Sequence, residues 1–410
     1  MQENKQRKST WMDTTQLVVS ILIFIVFLGI AVFSFVGIKL SDRDLPLREF
    51  TPGIWAMGFG FLFLAGISLV SVISSREVYY GIDRPRQPNK AKKWLNWSIV
   101  LLPILILDGY FVFNAQNAPD FLLPLLTILA LSVAMFWILK IGLRNYWGAN
   151  LKRDSGLFSF SMSFGILYIM LVQILLLIFI VTMALVVVSD KIDLPLMMET
   201  LSTNPERFIE TLSNNPTLVL IAFLMIAVFG PLIEELFKTI GVWFLKPRVI
   251  SPCEGWIAGL MSGAGFGLIE AYLYSVQGLL MPSFSDWLYL VLGRIGGLLL
   301  HTFAGGIVGW GLARSWREKS PRHALVAYLV AFLLHSLWNT MAVAQGMLLS
   351  LHSIQLPDIV VYISLGVLFT GILLAYLSLS QKITRQAHNE NSSETPYMSQ
   401  SPTGISNWRA

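Results

Sequence analysis

The chain has 410 residues, of which 55% are hydrophobic and 13% are charged, with a mean hydropathy of +0.66. Soluble domains carry about 25% charged residues, so this composition excludes a soluble globular protein and indicates a polytopic membrane protein. The net charge of +5 needs no nucleic-acid partner to explain it, because the cations lie in the loops described below. The single cysteine, Cys253, excludes both an intrachain disulfide and a zinc site built on several cysteines.

Ten apolar segments are long enough to cross a bilayer, at about 20 residues per span. The first, from Leu17 to Ile38, is longer than the apolar core of a signal peptide, and no small-residue cleavage site follows it. It is therefore predicted to be an uncleaved membrane helix. The fold class predicted for the whole chain is all-α, a multi-pass transmembrane helix bundle in the cell membrane. The approximate limits of the spans are 16–38, 53–74, 95–114, 122–141, 160–188, 217–245, 255–277, 287–313, 324–346 and 358–380.

Loops that are rich in lysine and arginine alternate along the chain with loops that are poor in them. Of the 29 cations, 22 lie at the N-terminus, after the second, fourth, sixth and eighth spans, and after the tenth. The opposite set of loops holds 5, and the remaining two, Lys238 and Arg294, lie within spans. Cations accumulate in the cytoplasmic loops of membrane proteins. Both termini are therefore predicted to face the cytoplasm.

The spans and their polar residues divide the chain into regions. Residues 1–159 are predicted to form an N-terminal membrane region of four spans, and residues 160–216 hold the fifth span and an external loop. Residues 217–346 form a helix bundle that carries the polar motifs described next. Residues 347–383 hold the last span. Residues 384–410 are polar and are predicted to be a disordered cytoplasmic tail.

The most unusual stretch is Glu234-Glu235-Leu236-Phe237-Lys238, inside an otherwise apolar run from Leu218 to Leu245. An ionisable residue at the centre of a membrane helix costs at least about 2.5–3.5 kcal/mol, so three within five residues indicate a function. Lys238 lies one helical turn from both glutamates and needs only one of them. The second carboxylate then requires a metal, a proton or water. A self-satisfied ion pair that only packs helices leaves that second glutamate unexplained.

The next three spans carry further polar residues at matching depth. They hold Glu270, then His301, then His335 with Asn339 one turn later. Counting from the cytoplasmic cations at 1.5 Å per residue places Glu234, His301 and His335 about 18–20 Å deep. Glu270 lies about one turn further out by the same count. The sequence therefore predicts ionisable groups from separate helices at one level near the middle of the membrane.

These residue types suit a metal-dependent hydrolytic site. Two imidazoles and a carboxylate are the usual ligands of a catalytic zinc, with the fourth position open to water. A second carboxylate can act as general base on that water. We therefore predict Glu270, His301 and His335 as ligands of a divalent metal, with zinc indicated by the donor types. Glu234 is predicted to be the general base and Glu235 a supporting acid, with the reverse assignment of this pair left open.

Small and polar neighbours support these candidate residues. Lys238 can neutralise one glutamate of the pair, and Asn339 can orient a ligand or hold an oxyanion. Gly305, one turn after His301, lets another backbone approach closely. Gly230-Pro231 is predicted to kink the sixth span, because proline removes one backbone hydrogen bond.

The ordered motifs E-E-x-x-K, F-x-x-x-E, H-x-x-x-G and H-x-x-x-N lie on four consecutive spans, over about residues 217–346. This set resembles the PrsW family of intramembrane proteases, which are relatives of the CAAX prenyl proteases and bacteriocin-processing enzymes. The resemblance implies cleavage of a membrane-anchored protein, an anti-sigma factor in the best-known case. Ala271 stands where members often carry asparagine, so that amide is absent here. The active-site residues that the resemblance implies are Glu234, Glu235, Lys238, Phe266, Glu270, His301 and His335.

Two other functions use the same residues differently. A proton-coupled membrane transporter would relay protons through the glutamates and histidines, but the chain lacks paired inverted repeats with broken helices in both halves. A catalytically inactive membrane scaffold would not need the complete set of motif residues. The leading hypothesis is an intramembrane endopeptidase that uses a metal-activated or glutamate-activated water.

Overall fold

The computed structural model describes residues 11–41, 51–80, 97–115, 117–144, 150–188, 203–204, 216–246, 250–278, 283–350 and 358–394. Within these ranges the regular elements are all helices and none is a strand, which confirms the all-α fold class. Nine helices of the described part are long and apolar enough to cross a membrane. The protein is therefore a multi-pass membrane protein.

The N-terminal half differs from the predicted spans at two places. The third predicted span, 95–114, is a helix of 14 residues in the described part, which is shorter than the others. The fifth begins at Leu151 rather than at 160, because two α-helices and a π-helix run on as one apolar helix. The elements are α1 Trp11–Ser41, α2 Thr51–Tyr79, α3 Leu101–Asn114, α4 Leu122–Leu143, α5 Leu151–Phe160, a π-helix Ser161–Gly165 and α6 Ile166–Val188.

The C-terminal half begins with a broken span and ends with a long helix. Residues 384–394, predicted to be disordered, are helical instead. Their glutamine, arginine, alanine and glutamate residues favour helix, so the membrane helix continues through them. Residues 395–410 lie outside the described part. The elements are α7 Pro216–Leu224, a π-helix Met225–Phe229, α8 Gly230–Phe237, α9 Ile240–Trp243, α10 Pro252–Gly278, α11 Phe284–Glu318, α12 Arg322–Ser350 and α13 Asp358–Glu394.

Helices α10 and α11 form the centre of the bundle and touch backbone to backbone. A Cβ atom added to Gly259 would lie 2.1 Å from the carbonyl oxygen of Gly305, and one added to Gly263 would lie 2.1 Å from that of His301. Only glycine permits such an approach. The close contact predicted at Gly305 is therefore present, and it fixes the height of His301 against α10.

The sixth span is interrupted by the π-helix just before the paired glutamates. The Gly230 N–H donates to the carbonyl of Met225, five residues earlier. In this register the next carbonyl, that of Ile226, faces residue 231, and Pro231 has no N–H to offer. The side-chain amide of Asn339 donates to Ile226 O instead, over 2.9 Å. The proline-induced irregularity is thus satisfied by α12, which ties that helix to the sixth span.

A second interruption follows Lys238, between α8 and α9. The carbonyl oxygen of Lys238 accepts hydrogen bonds from the hydroxyls of Ser262, at 2.5 Å, and Ser161, at 3.2 Å. Both serines are buried. The end of α8 is therefore capped by side chains from α10 and the first π-helix, and this fixes the position of the paired glutamates.

The N-terminal helices support the central pair from the side. The hydroxyls of Ser132 on α4 and Tyr272 on α10 are hydrogen-bonded at 2.6 Å. Thr127, also on α4, accepts a hydrogen bond of 2.9 Å from the indole N–H of Trp287 at the start of α11. These buried contacts hold both α10 and α11 against α4.

Candidate active site

A cavity of about 410 Å³ is lined by α6, the second π-helix, α8, α10, α11 and α12. The cavity is open on one side, and Ile174, Leu177 and Ile226, which line it, are each about half exposed. The cavity therefore opens at an apolar part of the helix-bundle surface. Its lining contains seven side chains that are charged or carry a hydroxyl, amide or imidazole group, namely Gln173, Glu234, Glu270, Tyr274, Arg294, His301 and Asn339.

Glu234 and His301 from this lining meet His335, which is buried beside them. Each offers one ligand atom, and the three atoms all lie within 4.8 Å of one another. His335 Nε2 lies 3.7 Å from Glu234 Oε2, and the centres of the two imidazole rings are 4.7 Å apart. These are the three residues that counting along the helices predicted at one depth.

Glu235 has a different environment from its neighbour. Its side chain is fully buried and is not part of the cavity lining. Its Oε1 lies 2.5 Å from Lys238 Nζ and 2.8 Å from His335 Nδ1. Lys238 thus pairs with Glu235 rather than with Glu234. When His335 donates its Nδ1–H to this carboxylate, Nε2 keeps a free lone pair on the side of Glu234.

Glu270 contacts His301 in the way that Glu235 contacts His335. Its Oε2 lies 2.8 Å from His301 Nε2, while its side chain also lines the cavity. Helix α10 presents Gly267 to the same imidazole, where a Cβ atom would lie 3.1 Å from His301 Cβ, and the Phe266 ring lies 5.0 Å from it. Each histidine therefore has a carboxylate at one ring nitrogen and leaves the other available.

Gln173 on α6 belongs to the site although the sequence analysis did not select it. Its Nε2 donates to Glu234 Oε1 over 2.8 Å. The signal in the sequence was a lone carboxamide in the apolar run from Ile166 to Ile180. This hydrogen bond fixes one oxygen of Glu234 and turns the other towards His335.

The polar atoms left over at this point fit a metal ion. Glu234 Oε2, Glu235 Oε2 and His301 Nδ1 are buried, with no hydrogen-bond partner in the described part of the chain. Unpaired buried polar atoms are costly and rare in proteins. A set of two imidazoles and a carboxylate is the donor chemistry that zinc and related divalent metals prefer.

Comparison with known proteins identifies the chain. A model of the PrsW family of intramembrane metalloproteases matches residues 166–377, which is more than half of the chain. The chain belongs to the PrsW family. No curated protein and no solved structure matches it.

Membership of the PrsW family makes the protein an intramembrane endopeptidase that acts on membrane-anchored substrates. The metalloprotease chemistry of the family implies a divalent metal. The matched region begins at Ile166, well before the 217–346 region of the sequence resemblance. It therefore includes α6 and Gln173, in agreement with the contact of that helix with Glu234.

Proposed function

We propose that this PrsW-family protease holds a zinc ion with Glu234, His301 and His335 and cuts its substrate with water in the adjoining cavity. The observation that carries the proposal is the convergence of these three ligand atoms within 4.8 Å. Bound zinc would act as a Lewis acid and would make a water molecule acidic enough to lose a proton near neutral pH. The sequence placed Glu270 in this ligand set, and the geometry favours Glu234 in its place.

Glu270 is proposed as the group that takes the proton from the attacking water. Of the two carboxylates that remain, Glu270 lines the cavity, whereas Glu235 is fully buried outside it. Glu234 and Glu270 thus exchange the ligand and base roles that the sequence suggested. Glu235 acts as a positioning residue, because it holds His335 through Nδ1 and is itself neutralised by Lys238.

Asn339 is proposed to contact the substrate from the opposite wall. One N–H of its amide is bound to Ile226 O, and the amide has a second N–H. Because Asn339 lines the cavity, that second N–H is available to a carbonyl oxygen of the substrate as negative charge develops on it. Asn339 would then both support the π-helix and stabilise the reacting carbonyl.

The substrate is proposed to be a membrane-anchored protein of the anti-sigma-factor type, as the family resemblance implies. Such a chain can enter from the lipid between α6 and the second π-helix, where Ile174 and Ile226 are exposed at the rim of the cavity. An apolar rim suits a transmembrane segment, and the polar interior suits the peptide bond that is to be hydrolysed.

A cleavage assay on the purified full chain tests this proposal. Single-span proteins, including anti-sigma-factor-like ones, are incubated with the wild type, with Glu270→Gln and with the control Glu254→Gln. Glu254 lies far from the cavity lining, and its side chain is 48% exposed. We expect Glu270→Gln to lower the cleavage rate by about 10²-fold or more, and a zinc chelator to abolish cleavage until zinc is restored.

Two results would contradict the proposal. One is cleavage of a verified substrate at the wild-type rate by Glu270→Gln with full resistance to chelators. The other is the behaviour of a transporter, in which no form of the protein cuts any polypeptide and the Gln variant changes only the flux of a solute.

A further inference from the structure

Arg294 on α11 is a charged residue of the cavity that the site described above does not use. Its guanidinium carbon lies 4.2 Å from the centre of the Tyr274 ring, and its side chain lines the cavity. No carboxylate of the described residues lies within ion-pair distance of it. A cation within a membrane helix is costly and usually marks a functional site. Arg294 is also the only cation among the described residues that line this cavity.

The position of Arg294 relates it directly to the proposed metal-binding residues. It precedes His301 by seven residues on α11, which is two turns or about 10.5 Å along the helix. Gly297 lies between them and also lines the cavity, and a Cβ atom added there would meet nothing within 4 Å. On α10, Tyr274 follows Glu270 by one turn. The Arg294–Tyr274 pair therefore lies above the Glu270–His301 pair on the same two helices, with open space between them.

The guanidinium group is available to a ligand. The guanidinium lies over the Tyr274 ring, and its N–H groups make no hydrogen bond or ion pair within the described part of the chain. Those N–H groups match the two oxygens of a carboxylate better than any other common group in a protein substrate. Glu234 and Glu270 in the same cavity would repel an acidic substrate residue. Arg294 offsets that repulsion in the part of the cavity two helical turns from His301.

We propose that Arg294, held over Tyr274, binds an acidic side chain of the substrate and so determines where the membrane-anchored protein is cut. The distance of about 10.5 Å corresponds to about three residues of extended chain, at 3.3–3.6 Å each. The acidic residue is therefore expected about three positions from the cleaved bond, towards the Phe284 end of α11. This inference rests on the proposed function, because the distance is counted from His301.

Binding of synthetic single-span peptides to the full chain tests the inference. A glutamate is moved through successive positions of one peptide, each paired with a matched glutamine peptide, and binding is measured by thermophoresis in detergent. The protein carries Glu270→Gln so that the peptides stay intact. At one position we expect the glutamate peptide to bind about 10-fold more tightly or better.

Variants of the arginine separate recognition from packing. Arg294→Gln should remove the preference for glutamate, and Arg294→Glu should reverse it in favour of a lysine peptide. Arg314→Gln, at the other end of α11, should leave the preference for glutamate unchanged. Tyr274→Leu should weaken the preference for glutamate, because the Arg294 guanidinium loses the aromatic ring that holds it in place. The inference is overturned when no position shows a glutamate preference, or when Arg294→Gln retains that preference.

Cleavage of the same peptides by the wild type distinguishes this inference from the proposed function. If glutamate peptides bind preferentially through Arg294 and none is cut, the recognition site stands and the proposed hydrolysis fails. If peptides are cut with no difference between glutamate and glutamine, the proposed hydrolysis stands and the role of Arg294 is refuted.

Discussion

At the residue scale, the adjacent glutamates Glu234 and Glu235 differ because they point about 100° apart on one helix. Glu234 faces the cavity, where Gln173 fixes one of its oxygens. Glu235 lies in a buried contact with both Lys238 and His335. Substitution of Glu234 therefore removes a proposed metal ligand. The same substitution of Glu235 disrupts the buried ion pair with Lys238 and the contact with His335.

Removal of the lysine tests the buried pair. Lys238→Met leaves the Glu235 carboxylate buried without its cation, which should destabilise the fold by about 3–5 kcal/mol. Adding Glu235→Gln should restore much of that stability, because no uncompensated charge is left inside. Proteolytic activity should stay low in the double variant, since His335 has lost the carboxylate that holds it.

Thermal unfolding in detergent, measured beside the cleavage rate, follows the two effects separately. Full activity in the double variant would show that Glu235 contributes only to stability and does not position His335.

At the scale of elements, the contact of α10 with α11 sets the height of His301 against Glu270. A Cβ atom at Gly259 would lie 2.1 Å from Gly305 O, which is backbone and cannot move aside alone. Gly259→Ala should therefore separate the helices and cost about 1–3 kcal/mol or more. Gly293→Ala on α11 is the matched control, because its Cβ would meet nothing within 4 Å.

Unfolding temperature and cleavage rate should both fall for Gly259→Ala, while Gly293→Ala should be neutral or slightly stabilising, since alanine favours helix over glycine. Equal behaviour of the two variants would mean that this backbone contact does not hold the site together.

The same elements show what the sequence can and cannot predict. Apolar runs and their cations predict the spans, and counting along them places Glu234, His301 and His335 at one depth, where the structure brings them together. The rotation of each helix depends on packing that no local pattern encodes. For this reason the choice of Lys238 between two glutamates and the approach of Gln173 from α6 were not predicted. The second π-helix was foreseen only as a kink at Gly230-Pro231.

At the scale of the whole molecule, the charge pattern predicts that the short helix α3 is part of a tenth membrane crossing. Both termini can lie in the cytoplasm only if the chain crosses the membrane an even number of times. The nine candidate spans must then be joined by a tenth crossing through α3, Leu101–Asn114. Its 14 residues cover about 21 Å, so the residues before it must supply the rest of the crossing.

Cysteine labelling in cells tests this topology. In a Cys253→Ser background, Ala118→Cys should react with a membrane-impermeant thiol reagent from outside. Ser320→Cys, in a cation-rich turn, should react only after the membrane is opened. Labelling of Ser320→Cys from outside and protection of Ala118→Cys would contradict the predicted orientation.

The most direct test of the central claim is the metal content of the purified full chain and its variants. We expect about one zinc per chain in the wild type. Zinc should be lost in Glu234→Gln, His301→Ala and His335→Ala, and kept in Glu270→Gln. A Glu234→Gln protein that keeps its zinc, beside a Glu270→Gln protein that loses it, would contradict the proposed ligand set. If the purified wild type contains no metal, is active and resists chelators, the proposed zinc site is wrong and a glutamate must activate the water instead.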